Sequence, residues 1–157
     1  MKTIGVISDT HGMLRTTAQD ALQGVDLIIH AGDVGSLKVL GVLQEIAPVF
    51  AVRGNMDGID LGTTLSYTEV VDINSGLFYV LHDIGRLDLD PVSAGFAAVI
   101  YGHSHRPSLE KKDGILYLNP GSAGPKRFEL PVTLALMKVN GTGKNLNIDT
   151  QFIDLEE

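Results

Sequence analysis

The sequence predicts an α/β protein made of two packed sheets with helices outside, and two patterns carry the prediction. The first half alternates apolar strand, polar loop and helical stretch, the order expected of parallel strands joined by right-handed crossovers. The second half is a series of strand-like runs separated by tight-turn dipeptides, the mark of hairpins.

Residues 4–8 form an apolar run of strand length and lead into Asp9-Thr10-His11-Gly12, followed by a helical stretch over 14–22. Residues 25–30 are a second buried strand, ending at Ala31-Gly32-Asp33, and 36–46 carry the next helical pattern. Residues 48–52 are a short third strand that stops at Arg53-Gly54-Asn55. Beyond this point the character changes. Runs at 65–73 and 77–81 flank Asn74-Ser75-Gly76, 97–101 is a buried strand, and 109–112 and 115–118 flank Asp113-Gly114. Runs at 132–139 and 146–153 flank Asn140-Gly141, so three hairpin turns are expected. The stretch Gly141-Thr142-Gly143-Lys144-Asn145 lacks the first Gly and the Ser or Thr of a phosphate-binding loop, and reads as the loop of the last hairpin.

The chain has 157 residues, 44% hydrophobic and 20% charged, with no composition break or low-complexity linker. A single domain over 1–157 is the expectation. The absence of cysteine excludes disulfide scaffolds, thiolate zinc sites, iron–sulfur clusters and cysteine nucleophiles. Twelve basic against 19 acidic residues give a formal charge of −7, which disfavours a nucleic-acid-binding surface or an anionic membrane as partner. The longest apolar run, 96–101, is strand-sized, and the N-terminus runs straight into a strand without a signal-peptide pattern. A cytoplasmic location is expected.

The histidines carry the functional signal. Four of the five, at 11, 82, 103 and 105, follow expected strands beside turn residues or Asp; the fifth, His30, reads as a satisfied buried histidine. Asp9 and His11 stand two apart, as do His103 and His105, and on extended backbone each pair would leave the chain on one side. The polar motifs recur at 24 residues from Asp9 to Asp33, 22 to Asn55, 27 to His82 and 21 to His103. A strand plus its return path consumes about that much chain, so each motif arrives at one sheet edge, where open α/β sheets bind ligands. Asp9, His11, Asp33, Asn55, His82, His103 and His105 are all oxygen or nitrogen donors, too many for one tetrahedral zinc. Two divalent ions sharing Asp33 as a bridge fit the set, and the donor mixture suits Mn, Fe, Zn, Co or Ni over Mg or Ca.

In this order, Asp9-Thr10-His11, Gly32-Asp33, Gly54-Asn55, His82 and Gly102-His103-Ser104-His105 resemble the signature of the calcineurin-like metallophosphoesterases. Together with the short length, Asn119-Pro120-Gly121-Ser122 and Pro125-Lys126-Arg127 resemble the small YfcE-type phosphodiesterases, with the likeness running from about Ile4 to Arg127. The resemblance implies a four-layer α/β/β/α sandwich. It also implies a first metal held by Asp9, His11 and His105, a second held by Asn55, His82 and His103, and Asp33 bridging, with Mn²⁺ foremost. Asp33, Asn55, His82 and His103 would act in catalysis through those ions and a bridging water or hydroxide that attacks a phosphate diester in line. Arg86, Arg106 and Arg127 are candidates to grip the phosphate of a small-molecule substrate, and a homo-oligomer is allowed. The alternatives are a protein-interaction scaffold on the same fold, as in the retromer scaffold subunit, or a phosphomonoesterase.

Two positions depart from the pattern. Met56 stands where larger members of the superfamily place a His after Gly-Asn, and a thioether donates no proton. Esters with good aryl leaving groups are therefore expected to react far faster than alkyl esters, a difference that parallel rate measurements would reveal. Asp83 follows His82 where small members carry Gly-His, adding a carboxylate to the pocket wall.

Overall fold

The two halves of the chain build two five-stranded mixed sheets in a computed structural model that describes residues 1–62 and 64–156. In chain order the elements are β1 (Lys2–Ile7), α1 (Thr16–Ala21), β2 (Leu27–His30), α2 (Leu37–Ile46), β3 (Val49–Ala51), α3 (Ile59–Gly62), β4 (Thr68–Ile73) and β5 (Gly76–Leu81). There follow α4 (Pro91–Ala94), β6 (Phe96–Ile100), β7 (Ser108–Lys112), β8 (Ile115–Asn119), β9 (Thr133–Asn140) and β10 (Asn147–Asp154). The first sheet runs β10-β9-β1-β2-β3 and the second β4-β5-β6-β8-β7. In the first, β1, β2 and β3 are parallel; in the second, β5, β6 and β8 are parallel, so the carboxyl ends within each set share one edge.

Side-chain alternation sorts the strands into layers. Ile4 and Val6 of β1 meet Phe78, Val80, Ala98, Ile100 and Met137 in a core between the sheets, while Ile7 turns to the other face. There it packs with Ala18 of α1, with Leu22 just after that helix, and with Val39, Leu40 and Leu43 of α2. Gly5 also faces α1, where a Cβ would collide with the Leu22 side chain. The outer face of the second sheet, Tyr79, Leu81, Phe96, Val99 and Ile115, is covered by Ile84, Leu87 and Leu89. This fourth layer is thin, consisting of a 3₁₀ turn at Ile84–Arg86 and the one-turn helix α4. The result is the expected α/β arrangement of two sheets flanked by helices.

Local signals account for most element ends. Ser36 caps α2 by accepting the Val39 N–H. Asn74 and Ser75 both have positive φ, 51° and 66°, as do Asp113 and Gly114 at 53° and 79°, the geometry of two-residue hairpin turns. The third turn is longer than Asn140-Gly141: the strands pair last at Asn140 and Asn147, and 141–146 loop out around a 3₁₀ turn. Residues 65–67 fall outside β4, because this stretch belongs to the loop after β3, where the Arg53 N–H donates to the Ser66 carbonyl.

Candidate metal centre

The loops leaving β1, β2 and β3 meet the loops leaving β5 and β6 at one end of the two sheets. Backbone hydrogen bonds lock the first pair together: Asp9 N–H donates to Gly32, His11 N–H to Asp33 and Gly12 N–H to Val34. Within the second sheet Gly102 N–H donates to the His82 carbonyl, and across the sheets His103 N–H donates to Asp9 Oδ2 at 3.2 Å. Such closeness requires glycine. A Cβ on Gly102 would strike Ser8 Oγ and Asp9 Oδ2, and one on Gly54 would strike the backbone and carboxylate of Asp33.

The backbone here is unusual. Asp9, His11, Asp33, His103 and His105 all have positive φ, between 48° and 73°. The other described non-glycine residues of this kind are three hairpin-turn residues and Phe128. Neither Asp-x-His nor His-x-His is therefore extended, as the two-residue spacing had implied. Each chain turns back sharply after its strand, and the left-handed residues swing the side chains inward. Concentration of this costly conformation at one place marks a functional constraint.

The side chains converge on two carboxylate oxygens. Asp9 Oδ2 accepts the Ser8 hydroxyl at 2.7 Å, leaving Oδ1 facing His105 Nε2 at 3.3 Å, His11 Nε2 at 3.7 Å and His82 Nε2 at 3.8 Å. Asp33 Oδ1 accepts the Met56 N–H at 2.7 Å, leaving Oδ2 facing His82 Nε2 at 3.2 Å and His11 Nε2 at 3.8 Å. The imidazoles of His11 and His105 lie 5.4 Å apart on one side, and those of His82 and His103 5.1 Å apart on the other. Asn55 and His103 are the exposed members, with His103 Nδ1 3.2 Å from Asn55 Oδ1. Two groupings have ligand atoms close enough to share an ion: Asp9, His11 and His105; and Asp9, Asp33 and His82. Asp9 thus stands in both, while Asp33 Oδ2 faces a histidine from each side.

These residues fit divalent cations on a test internal to the structure. Asp9 Oδ1, His11 Nε2 and His82 Nε2 are buried and have no hydrogen-bond partner. His82 Nδ1 must donate to the Ala31 carbonyl at 2.8 Å, so in the neutral ring Nε2 presents a lone pair to two carboxylate oxygens. Lone pairs converging in a buried space repel unless a cation joins them, and without a metal ion that cation is a proton on a ring nitrogen. Burial alone would raise the Asp9 carboxyl, but His105, His11, His82 and the Ser8 hydroxyl hold it far below the ordinary range. Burial likewise opposes ionisation of Asp33, and the His82 ring and the Met56 N–H override it. Both carboxylates are anionic ligands at neutral pH.

His30, Asp57 and Asn119-Pro120-Gly121-Ser122, which the sequence marks as supporting or turn residues and not as ligands, fix these loops. His30 is fully buried: its Nδ1 accepts the Gly32 N–H, its Nε2–H donates to Thr10 Oγ1 at 3.0 Å, and the Thr10 hydroxyl donates to Val34 O. Burial lowers its pKa from 6.5 to about 4 against the pull of Asp9 and Asp57. Asp57 accepts N–H groups from Gly54, Gly35 and Val34, strapping the β2 and β3 loops together. Asn119 donates to the Gly102 carbonyl and Ser104 Oγ, and Ser122 Oγ donates to the Asp9 carbonyl, so Asn119-Pro120-Gly121-Ser122 lies beneath the centre. The partners that define these roles are distant in sequence.

A cleft of about 740 Å³ opens from Asn55, His82 and His103 and is lined by Arg53, Tyr67, Tyr79, Asp83, Arg86 and Asp88 among others. Of the three arginines singled out for phosphate, Arg86 lines it; Arg106 and Arg127 are exposed and do not. Asp83 Oδ1 accepts the Gly85 N–H and caps the 3₁₀ turn, which places its carboxylate on the cleft wall.

Comparison with known proteins agrees with this geometry. Residues 1–142 match the model of the calcineurin-like phosphoesterase superfamily domain. The chain is 35% identical to the probable metallophosphoesterase MJ0623 of Methanocaldococcus jannaschii, over 98% of this chain and 82% of that protein. It is 27% identical to phosphodiesterase YfcE of Escherichia coli, over 83% of this chain and 84% of that one. In fold it superposes on Vps29 of Chaetomium thermophilum with a TM-score of 0.78 at 19% identity, covering 98% and 97% of the two chains.

Proposed function

The chain belongs to the calcineurin-like phosphoesterase superfamily, and from that premise we propose that it is a dinuclear-metal phosphodiesterase acting as a single domain. The observation that carries the reading is the set of buried ligand atoms on Asp9, His11 and His82 that converge with no hydrogen-bond partner. Asp9, His11 and His105 would hold one ion and Asn55, His82 and His103 the other, with Asp33 shared and Mn²⁺ the first candidate. When bound, such ions supply a water-derived nucleophile near neutral pH and offset charge on the phosphoryl oxygens.

The chain's own residues do the positioning. Ser8 and the His103 N–H fix Asp9, the Met56 N–H fixes Asp33, and the Ala31 carbonyl sets the tautomer of His82. Met56 is 68% exposed beside the centre and offers no proton to a leaving group, which supports the preference for aryl esters. Arg53 and Arg86 on the cleft wall are balanced by Asp83 and Asp88, so the wall offers no net positive charge for the second charge of a phosphomonoester, which favours the diester. A scaffold on this fold has no need of all seven donors.

The test is hydrolysis of bis(p-nitrophenyl) phosphate by metal-stripped protein titrated with Mn²⁺, beside His82→Ala. Activity is expected to rise to a plateau at about two Mn²⁺ per chain and to fall at least about 100-fold in the variant. A plateau at one ion overturns the dinuclear reading. Silence with Mn²⁺, Ni²⁺, Co²⁺ and Zn²⁺ alike overturns the enzyme.

A further inference from the structure

The cleft beside the centre carries features that phosphoryl binding does not use. Its outer part is bounded by two segments, the loop after β3 with Arg53 and Tyr67, and the turn after β5 with Asp83, Arg86 and Asp88. The Arg53 guanidinium lies 5.0 Å from the centroid of the Tyr67 ring, so one side of that ring is backed by a cation. Tyr67 is nonetheless 64% exposed, leaving much of the ring open. An exposed tyrosine held by a stacked arginine on a cleft wall is a platform for a flat ring.

Charge narrows the ligand further. The cleft walls hold two arginines and two aspartates, so their formal charges cancel. A second phosphate would find no net attraction there, whereas a neutral group able to donate and accept hydrogen bonds would find Arg53, Arg86, Asp83, Asp88 and the Thr68 hydroxyl. The volume, about 740 Å³, lies within the range of small-molecule sites, about 300–1,000 Å³. A lipid chain would meet charged groups rather than an apolar wall.

We propose that this cleft binds the nucleoside of a single-phosphoryl nucleoside diester, with its base stacked on Tyr67 against Arg53, and that Tyr67 determines this specificity. The proposal rests on the phosphodiesterase reading for its turnover and on the cleft alone for its binding.

The experiment compares two diesters with the same leaving group, the p-nitrophenyl ester of thymidine 5′-phosphate and methyl p-nitrophenyl phosphate, on the Mn²⁺-loaded protein. Thymidine is expected to raise kcat/KM about tenfold over methyl. Tyr67→Ala, an exposed substitution outside the core, should erase that advantage by bringing the thymidine ester down to the rate of the methyl ester, and Tyr67→Phe should retain it. Equal rates for the two esters, or equal losses on both in Tyr67→Ala, overturn the assignment while leaving the phosphodiesterase in place. Saturation-transfer NMR with thymidine alone separates the two readings. Transfer to the base protons that disappears in Tyr67→Ala supports the site even if neither ester turns over, and no transfer to the native protein overturns it.

Discussion

His30 shows how a residue with no contact to a ligand can still govern the centre. Its ring is neutral because Nδ1 must accept the Gly32 N–H while Nε2–H donates to Thr10, so a second proton would break the first bond. The folded state therefore holds the pKa near 4, against an ordinary value of 6.5. The sign follows: above about pH 6.5 neither state takes up the proton, and between 6.5 and 4 the unfolded chain takes it first. Stability is then present in full above pH 6.5 and is lost as pH falls toward 4, by on the order of 3 kcal/mol. Urea unfolding at pH 7.5 and pH 4 should show native protein losing that much more than His30→Gln; equal losses would show that His30 is not the titrating group. The sequence made His30 legible as a buried histidine because it ends an apolar run. Its partners were not legible, since Thr10 and Val34 reach it only through the fold. The candidate ligands were legible for the opposite reason, because the strand-plus-crossover repeat puts Asp9, Asp33, Asn55, His82 and His103 at one edge whatever the loops do.

At the scale of elements, the loops do more than the strands. β1, β2 and β3 aim their ends at the site, but Asp57 holds the result in shape, accepting three backbone N–H groups from two different loops. Removing an acceptor from buried donors costs about 1–3 kcal/mol each, and the three act as a unit rather than additively. Asp57→Ala is expected to lower the unfolding free energy by about 3 kcal/mol and to weaken Mn²⁺ binding at least about tenfold, as loss of a supporting contact does. Urea unfolding and a Mn²⁺ titration read the two effects; native affinity in the variant would reduce Asp57 to a fold residue. The hairpins at Asn74-Ser75 and Asp113-Gly114 were readable because positive φ restricts which residues can turn there. α4 has well-defined ends, with Asp90 capping Val92, Pro91 in the first turn and Gly95 left-handed at φ 81°. Its single turn is too short for a hydrophobic period, so this helix has no signature of its own between residues 81 and 97, although helices outside both sheets are expected. The left-handed backbone at Asp9, His11, His103 and His105 was equally hidden, since i, i+2 spacing looks the same in a strand and in a turn.

For the whole molecule, the same centre is a weak seam until cations fill it. Over most of their area the two sheets meet through an apolar core of residues such as Ile4, Phe78, Ile100 and Met137. At the edge where the strands end, the buried groups are instead Ser8, Asp9, Asp33, His82, His105 and Asn119. Asp9, His11, Asp33 and Asn55 come from the first sheet's loops, and His82, His103 and His105 from the second's. Each proposed ligand set draws on both, so each ion would join the sheets where hydrophobic packing stops. Binding that occurs only in the folded state stabilises by RT ln(1 + [L]/Kd), about 2.7 kcal/mol per site at a hundredfold excess over Kd. For two sites in a chain of this size that corresponds to a rise in Tm of about 15 °C. Differential scanning calorimetry of metal-stripped protein with added Mn²⁺ should show the rise, and chelator should reverse it. His82→Ala should keep about half, because the set of Asp9, His11 and His105 is intact. A full rise in that variant would place the stabilising ions elsewhere on the surface, and no rise in the native protein would mean that the converging lone pairs are satisfied by protons instead.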